Sequence, residues 1–414
     1  MRKYIYKVLA LSMVVGAFTA CNNDDDLTAS IFDTTTPVVD PNSSTAPFDQ
    51  WLYDNFVVPY NTEIQYKFNF PASQLSYQLT PAEYQKSQLL SYFIKYLFYD
   101  VYIKYAGEDF MKQYGPRIFH FIGSAAYSPT THTETLGYAS GGVKITLINV
   151  NGMKLWSPTS GYSAADIELL NKDQFHTMHH EFSHILHQTK SYPVEFGQIT
   201  PGDYDGRDWQ KRDSVKAHCL GYITHYASSA TYEDFVETLS CTITDTDCRW
   251  MYTIIDACAN GGVKSGDKER VYTLIDSLKI KDVDVSTKPW NKFKIMKEIT
   301  ESKETGEITE RFVPDFHVAD AKEQRIMNDS EDKVTYEEVQ AFTSFRDYLD
   351  NWVEVDNGAS TQGMNAILKK LDIATKWYTD KWGLHLYELR QEVGKRQNEI
   401  NDWASGNVTY FDFQ

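Results

Sequence analysis

His180-Glu181-Phe182-Ser183-His184 is the stretch from which this chain is read. It lies in a run whose apolar residues, Phe175, Met178, Phe182, Ile185 and Leu186, recur at helical spacing, which predicts a helix over 172–188. Five of the 11 histidines fall between positions 176 and 187. On an α-helix, residues i and i+4 stand one above the other, about 40° apart around the axis and about 6 Å along it. His180 and His184 can therefore share one Zn²⁺. Glu181 follows His180 by about 100°, so it flanks the metal and can take a proton from water that the metal has acidified. The alternative is a histidine-rich solvated face that matches the pattern by chance. The downstream sequence favours the metal.

A catalytic zinc takes three protein ligands and keeps a fourth position open. Some fifty residues on, Thr231-Tyr232-Glu233-Asp234-Phe235-Val236-Glu237 sets two glutamates one turn apart in a helix expected over 232–243. Glu233 can ligate the metal, and Glu237 can accept a hydrogen bond from a ligand histidine and so fix its tautomer. Elsewhere such a pair would simply face solvent. His187 and His176 compete for the third position. Residues 180, 184 and 187 on one straight helix spread over about 10 Å of rise, too far for three ligands about 2.0–2.1 Å from one ion. Sites that use a later histidine insert a glycine turn. Here Ile185-Leu186 continues the helix, and Lys190 stands where such a histidine would fall. The same collinearity removes His176.

Outward from this centre the pattern is α+β. Thr80-Pro81-Ala82-Glu83 reads as a capping box with proline at the first helical position. It opens a helix over 84–105 that stops at Gly107. Strands are expected over 117–122 and 142–150, the second with alternating Val143, Ile145 and Leu147. Residues 293–335 are charged and read as an insertion, with a hairpin around Lys303-Glu304-Thr305-Gly306. Amphipathic helices over 365–381 and 384–401, parted by Gly383, close a C-terminal helical part spanning 336–414. The catalytic domain is expected to span 47–292.

At the other end, Arg2, Lys3 and Lys7 precede a short apolar run from Val8 to Ala17, followed by Phe18-Thr19-Ala20-Cys21. That run falls short of the roughly 20 apolar residues that span a bilayer, so residues 1–20 read as a cleavable export signal. A small residue directly before Cys21 resembles the bacterial lipobox, in which the cysteine is acylated and becomes the new N-terminus; an ordinary signal peptide is the alternative. Residues 21–46 open on Asn22-Asn23-Asp24-Asp25-Asp26 and are poor in apolar side chains, as expected of a disordered acidic tether. The acidic cluster resembles the surface-export signal of Bacteroidetes lipoproteins, which implies the outer membrane, surface-exposed or facing the periplasm. With 40 Lys+Arg against 57 Asp+Glu the chain carries −17, and loss of residues 1–20 makes it −20. Such a surface excludes nucleic acid as a partner, since phosphate binding needs clustered positive charge. Cys219, Cys241, Cys248 and Cys258 permit two disulfides in an exported protein or four free thiols, and their spacing lacks the C-x₂-C of a structural zinc site.

Taken together, HEFSH and EDFVE resemble the gluzincin metallopeptidases, particularly the lethal-factor-like branch. That resemblance implies a zincin-like fold, helix-rich with a small mixed sheet, and Glu233 as third ligand. It also implies a tyrosine seven residues before that glutamate, here Tyr226, that donates to the oxyanion of the transition state. With the lipoprotein signal and acidic tether added, the chain is more similar still to the substrate-import-associated zinc metallohydrolase lipoproteins of Bacteroidetes. Those act beside TonB-dependent importers and their surface lipoproteins. The implied activity is hydrolysis of peptides or glycopeptides at the cell envelope, with a lipid anchor as the only membrane attachment. The 142–150 strand would suit it as an edge strand pairing with extended substrate. The competing expectation is a non-catalytic capture lipoprotein on the same scaffold. Intact Glu181 favours the enzyme, because a pure binder has no use for a general base.

Overall fold

The computed structural model describes residues 39–68, 78–128, 134–245, 247–257, 291–301, 308–318, 360 and 362–411. The export signal and most of the tether lie outside the described residues. Residues 39–50 belong to a small unit of their own. In it the turn at Asp40–Ser43 leads into helix α1 (Ala46–Leu52), and the Thr45 hydroxyl donates to Asp49 at 2.6 Å. The second unit, Trp51–Asp412, carries everything discussed below.

Its spine is α2, which runs unbroken through Tyr84–Phe93, a stretch of wider turns at Ile94–Tyr99, and Asp100–Ala106. The expected capping box does not form. Glu83 is the N-cap in extended conformation with no side-chain cap, and its backbone N–H goes instead to Asn151 at 2.7 Å. Leu89, Phe93, Leu97, Phe98 and Val101 are fully buried. Each such side chain contributes roughly 1.5–3 kcal/mol relative to exposure. Phe98 links three layers, with its ring 6.1 Å from Phe119 on the sheet and 5.1 Å from Phe182 on the motif helix. Helix α3 (Glu108–Tyr114) follows.

The sheet has four strands in the order β1-β2-β6-β5. β1 (Glu63–Gln65), β2 (Ile118–Phe121) and β6 (Lys144–Leu147) are parallel, and β5 (Gly137–Ser140) pairs antiparallel with β6. A separate two-stranded pair, β3 (Ala126–Tyr127) and β4 (Glu134–Thr135), lies between them in sequence. The architecture is thus α+β with a small mixed sheet, as expected. One expectation is corrected: the strand predicted over 142–150 is not the edge. Gly141 and Gly142 adopt φ of +61° and +68°, a turn open to residues without a Cβ. It folds β5 back onto β6, leaving β5 outermost and β6 interior.

The motif helix also starts earlier than its apolar spacing suggests. Ser163 and Asp166 form a reciprocal capping box for α4 (Ala164–Leu170), and the chain continues through wider turns at Asn171–Phe175 into α5 (His176–Thr189). After α6 (Ser214–Cys219) comes α7 (Thr231–Thr244), which packs against α5, and then α8 (Asp247–Ala257). In the charged region, β7 (Asn291–Glu301) and β8 (Ile308–Val318) pair antiparallel on either side of the expected hairpin turn, itself outside the described residues. Gly383, at φ +65°, parts α9 (Gln362–Trp382) from α10 (Leu386–Asn398), with α11 (Ile400–Asn407) last. These helices tie down the far ends of α5 and α7: Arg390 donates to the Thr242 carbonyl at 2.8 Å, and Gln397 to Asn171 at 3.0 Å. Among the described residues no helix is long and apolar enough to cross a membrane.

Candidate metal centre

Helices α5 and α7 run antiparallel, so residues descending along one meet residues ascending along the other. This brings His180, His184 and Glu233 together. Nε2 of His180 and Nε2 of His184 each lie 3.2 Å from Glu233 Oε2, and the three donor atoms fall within 4.8 Å of one another. Ligands about 2.0–2.1 Å from a tetrahedral zinc are separated by roughly 3.3 Å along each edge of the tetrahedron. The two imidazole-to-carboxylate edges therefore already hold the spacing that zinc requires, and a set of two imidazole nitrogens and one carboxylate oxygen fits the ion. All three are nearly buried.

The opposite face of each imidazole is also occupied. His180 Nδ1 donates to Glu237 Oε1 at 2.7 Å, so in the neutral ring that a metal would bind, Nε2 is the lone-pair nitrogen. Glu237 is held in turn by His176 Nε2 at 2.9 Å and by the Thr224 hydroxyl at 2.6 Å. His184 Nδ1 lies 3.0 Å from His187 Nε2. With the His184 proton on Nδ1, His187 is its acceptor. Burial, aided by the positive field of His184, lowers the His187 pKa to about 4, so its ring is neutral and able to accept. The roles of His176 and His187 escaped the sequence reading, which weighed both only as competing ligands. Their i±3 and i±4 spacing from the motif was the available signal.

Electrostatics sharpen the picture. Burial pushes the Glu233 carboxyl up, but the imidazoles of His180 and His184 outweigh it and bring the pKa down to about 2. His180 is raised well above the ordinary imidazole range: burial opposes its charge, and the carboxylates of Glu233 and Glu237 overcome that. Glu181, on the next position round α5, is nearly buried and raised by that burial. The histidines pull it down, as does the backbone N–H of Ala139 on edge strand β5. The general-base candidate thus sits between the candidate metal ligands and the outermost strand.

Tyr226 lies in the short 3-10 turn Tyr226–Ser229 directly before α7, its ring 5.9 Å from that of His180. Its phenol is raised, first by burial and then by the Glu233 carboxylate beside it, so it stays protonated and able to donate. Trp209 packs edge-on against it at 4.9 Å and stacks on His225 at 5.4 Å. From His180, Glu181 and Tyr226 a cavity of about 660 Å³ extends along the groove between α5 and α7, past His176 and Glu237 to Cys241. Cys241 is a free thiol, and the Cys219 thiol donates to the Asp256 carbonyl at 3.1 Å. The side chain of Cys248 and all of Cys258 lie outside the described residues.

No curated protein matches this chain. The crystal structure of a "putative zinc-binding metallo-peptidase" from Bacteroides caccae ATCC 43185 matches with a TM-score of 0.52 at 23% identity, over 88% of this chain and 97% of that one. That likeness shows a shared fold. Residues 41–297, more than half of the chain, match the sequence profile of the family described as "putative zinc-binding metallo-peptidase", and the chain belongs to that zinc-binding family.

Proposed function

We propose that this protein is a zinc-dependent peptidase of the cell envelope, with His180, His184 and Glu233 as ligands and Glu181 as general base. The observation that carries the reading is the position of Glu181: a buried carboxylate beside two convergent imidazoles, facing the edge strand. Zinc held there would polarise the scissile carbonyl and lower the pKa of a bound water to near 7. The remaining work falls to the chain's own groups. Burial keeps Glu181 basic enough to take a proton from the attacking water and to pass it to the leaving amine. The Tyr226 hydroxyl donates to the carbonyl oxygen as it becomes an oxyanion. The outer edge of β5 aligns an extended peptide by main-chain hydrogen bonds, a role the sequence reading gave to 142–150.

The setting belongs to the same proposal. Acylation at Cys21 would hold the enzyme on the outer membrane, beside a TonB-dependent importer whose peptide or glycopeptide cargo it trims. Cys21→Ala should then free the protein from washed membranes. For the chemistry, metal analysis is coupled to a peptide-library digest. Wild type should hold one catalytic zinc and cleave. Glu181→Gln, equal in size but not basic, should keep the metal and lose about 10²-fold or more in rate. A Gln variant that cleaves at the wild-type rate would remove Glu181 as the base.

A further inference from the structure

The helix pair repeats its pattern one turn deeper. Four residues back along α5 lead from His180 to His176; four residues forward along α7 lead from Glu233 to Glu237, and four more to Cys241. His176, Glu237 and Cys241 each offer a donor atom within 4.8 Å of the other two, and all three line the 660 Å³ cavity. Cys241 is a free thiol, 2% exposed, that the hydrolytic reading leaves unused. His176 Nδ1 lies 3.5 Å from the Thr244 hydroxyl. Its ring proton can therefore sit on Nδ1 and leave Nε2, now 2.9 Å from Glu237 Oε1, free to ligate.

We propose that His176, Glu237 and Cys241 form a second site, for a soft divalent cation of the zinc and cadmium class, whose filling draws Glu237 away from His180. The donor set is nitrogen, oxygen and sulfur, which suits zinc and softer ions and not magnesium or calcium. A shift of one helical turn on both partners sets the new site about 6 Å from the first. Paired catalytic metals stand about 3.5–4 Å apart and clamp one reacting group, so this is a separate site and not half of a binuclear centre. Binding replaces the hydrogen bond from His176 to Glu237 by two bonds to the ion. The thiol becomes a thiolate, and its proton leaves through the cavity. The site is weaker than the first, because Glu237 Oε1 already serves His180. Its ligation stands on its own geometry; only the coupling to His180 rests on the proposed catalytic site.

Cobalt titration of the chelator-stripped full chain tests this. Wild type should bind two equivalents. The first, ligated without sulfur, gives no thiolate-to-cobalt charge-transfer band, and the second brings that band. Cys241→Ser and His176→Ala should each keep the first equivalent and lose the second together with its band. Glu233→Ala should lose the first and keep the band. The proposal is overturned if saturated wild type shows no thiolate band, if the band survives in Cys241→Ser, or if Glu233→Ala abolishes it along with the first equivalent. A thiolate band without any sulfur-free equivalent would sustain this site and sink the catalytic one.

Discussion

Lys370→Met is the perturbation for which the structure allows a magnitude to be worked. Lys370 projects from α9 and meets Asp234 Oδ2 at 2.6 Å, with the two side chains 1% and 0% exposed. It also donates to the Gly221 carbonyl at 2.8 Å and sits 4.0 Å from the centre of the Tyr222 ring. At an effective dielectric of about 20 the direct attraction is roughly 6 kcal/mol, most of it offset by the desolvation of both ions. Removing the lysine alone leaves a buried carboxylate with the Tyr204 hydroxyl, 2.7 Å away, as its remaining polar contact on Oδ2. The expected loss is about 3–5 kcal/mol, a fall in melting temperature of roughly 5 °C, because at about 2.1 cal/mol/K per residue a chain of this length shifts only about 1 °C per kcal/mol. Asp234 adjoins Glu233, so zinc retention should fall as well. Lys370→Met combined with Asp234→Asn removes the stranded charge and keeps an acceptor for Tyr204, so most of the loss should return. Thermal unfolding with metal analysis reads both effects. If the single variant loses less than about 1 kcal/mol, or the double is no better, the pair is not what sets the register of α7.

Tyr226→Phe should cut kcat about 10²- to 10³-fold with zinc content and melting temperature held; a large fall in stability would make Tyr226 a structural residue. In a zinc-affinity series Glu233→Ala should lose the metal. Glu237→Ala should weaken binding about 10- to 100-fold, with His187→Ala the milder of the two backing variants. Metal kept in Glu233→Ala and stripped in His187→Ala would end the ligand assignment. His120 supplies a pH dependence. Burial, and then the charge of Lys144, lower its pKa to about 4 from the usual value of about 6.5, and neither ring nitrogen has a hydrogen-bond partner among the described residues. The folded state then binds fewer protons, so this contribution is whole above pH 6.5 and fades, by roughly 3 kcal/mol, as pH falls toward 4. His120→Leu should flatten melting temperature against pH in that window; an unchanged slope would refute it.

What the sequence disclosed depended on how far each feature reached along the chain. Helical spacing is local, so α5, α7 and the helices on either side of Gly383 were legible within a few residues. So was the meeting of His180 and His184, which needs only one helix. Glu233 required a second helix, and the E-x-x-x-E spacing supplied it, because one turn of α7 carries both glutamates to one face. Strand order is a long-range property. Alternation marked the interior strand over 144–147, but it was the turn at Gly141-Gly142 that decided which strand would be outermost, and β5 is too short to show a period. The hydrogen bonds from His176 to Glu237 and from His184 to His187 depend on rotamers and on the antiparallel register of α5 against α7. No count along one strand of sequence contains that register.

That register explains why the two imidazoles proposed as ligands are backed differently. Ascending α7 from Glu233 to Glu237 matches descending α5 from His184 to His180, so the next carboxylate falls behind His180, whereas His184 lies at the end where α7 has run out. Its backing group comes from its own helix, as His187, and is neutral. A carboxylate acceptor makes the donor imidazole a stronger ligand than a neutral one does. His180 is therefore the firmer anchor and His184 the softer, a difference set by where α7 starts. The start of α7 is fixed by Tyr226–Ser229 on one side and by the Lys370–Asp234 contact on the other. The proton donor proposed for the transition state, the proposed third ligand and the acidic half of the buried ion pair thus occupy nine consecutive residues, 226–234. A shift of that segment would move all three at once, which ties the chemistry of the site to the packing of a helix 130 residues further along the chain.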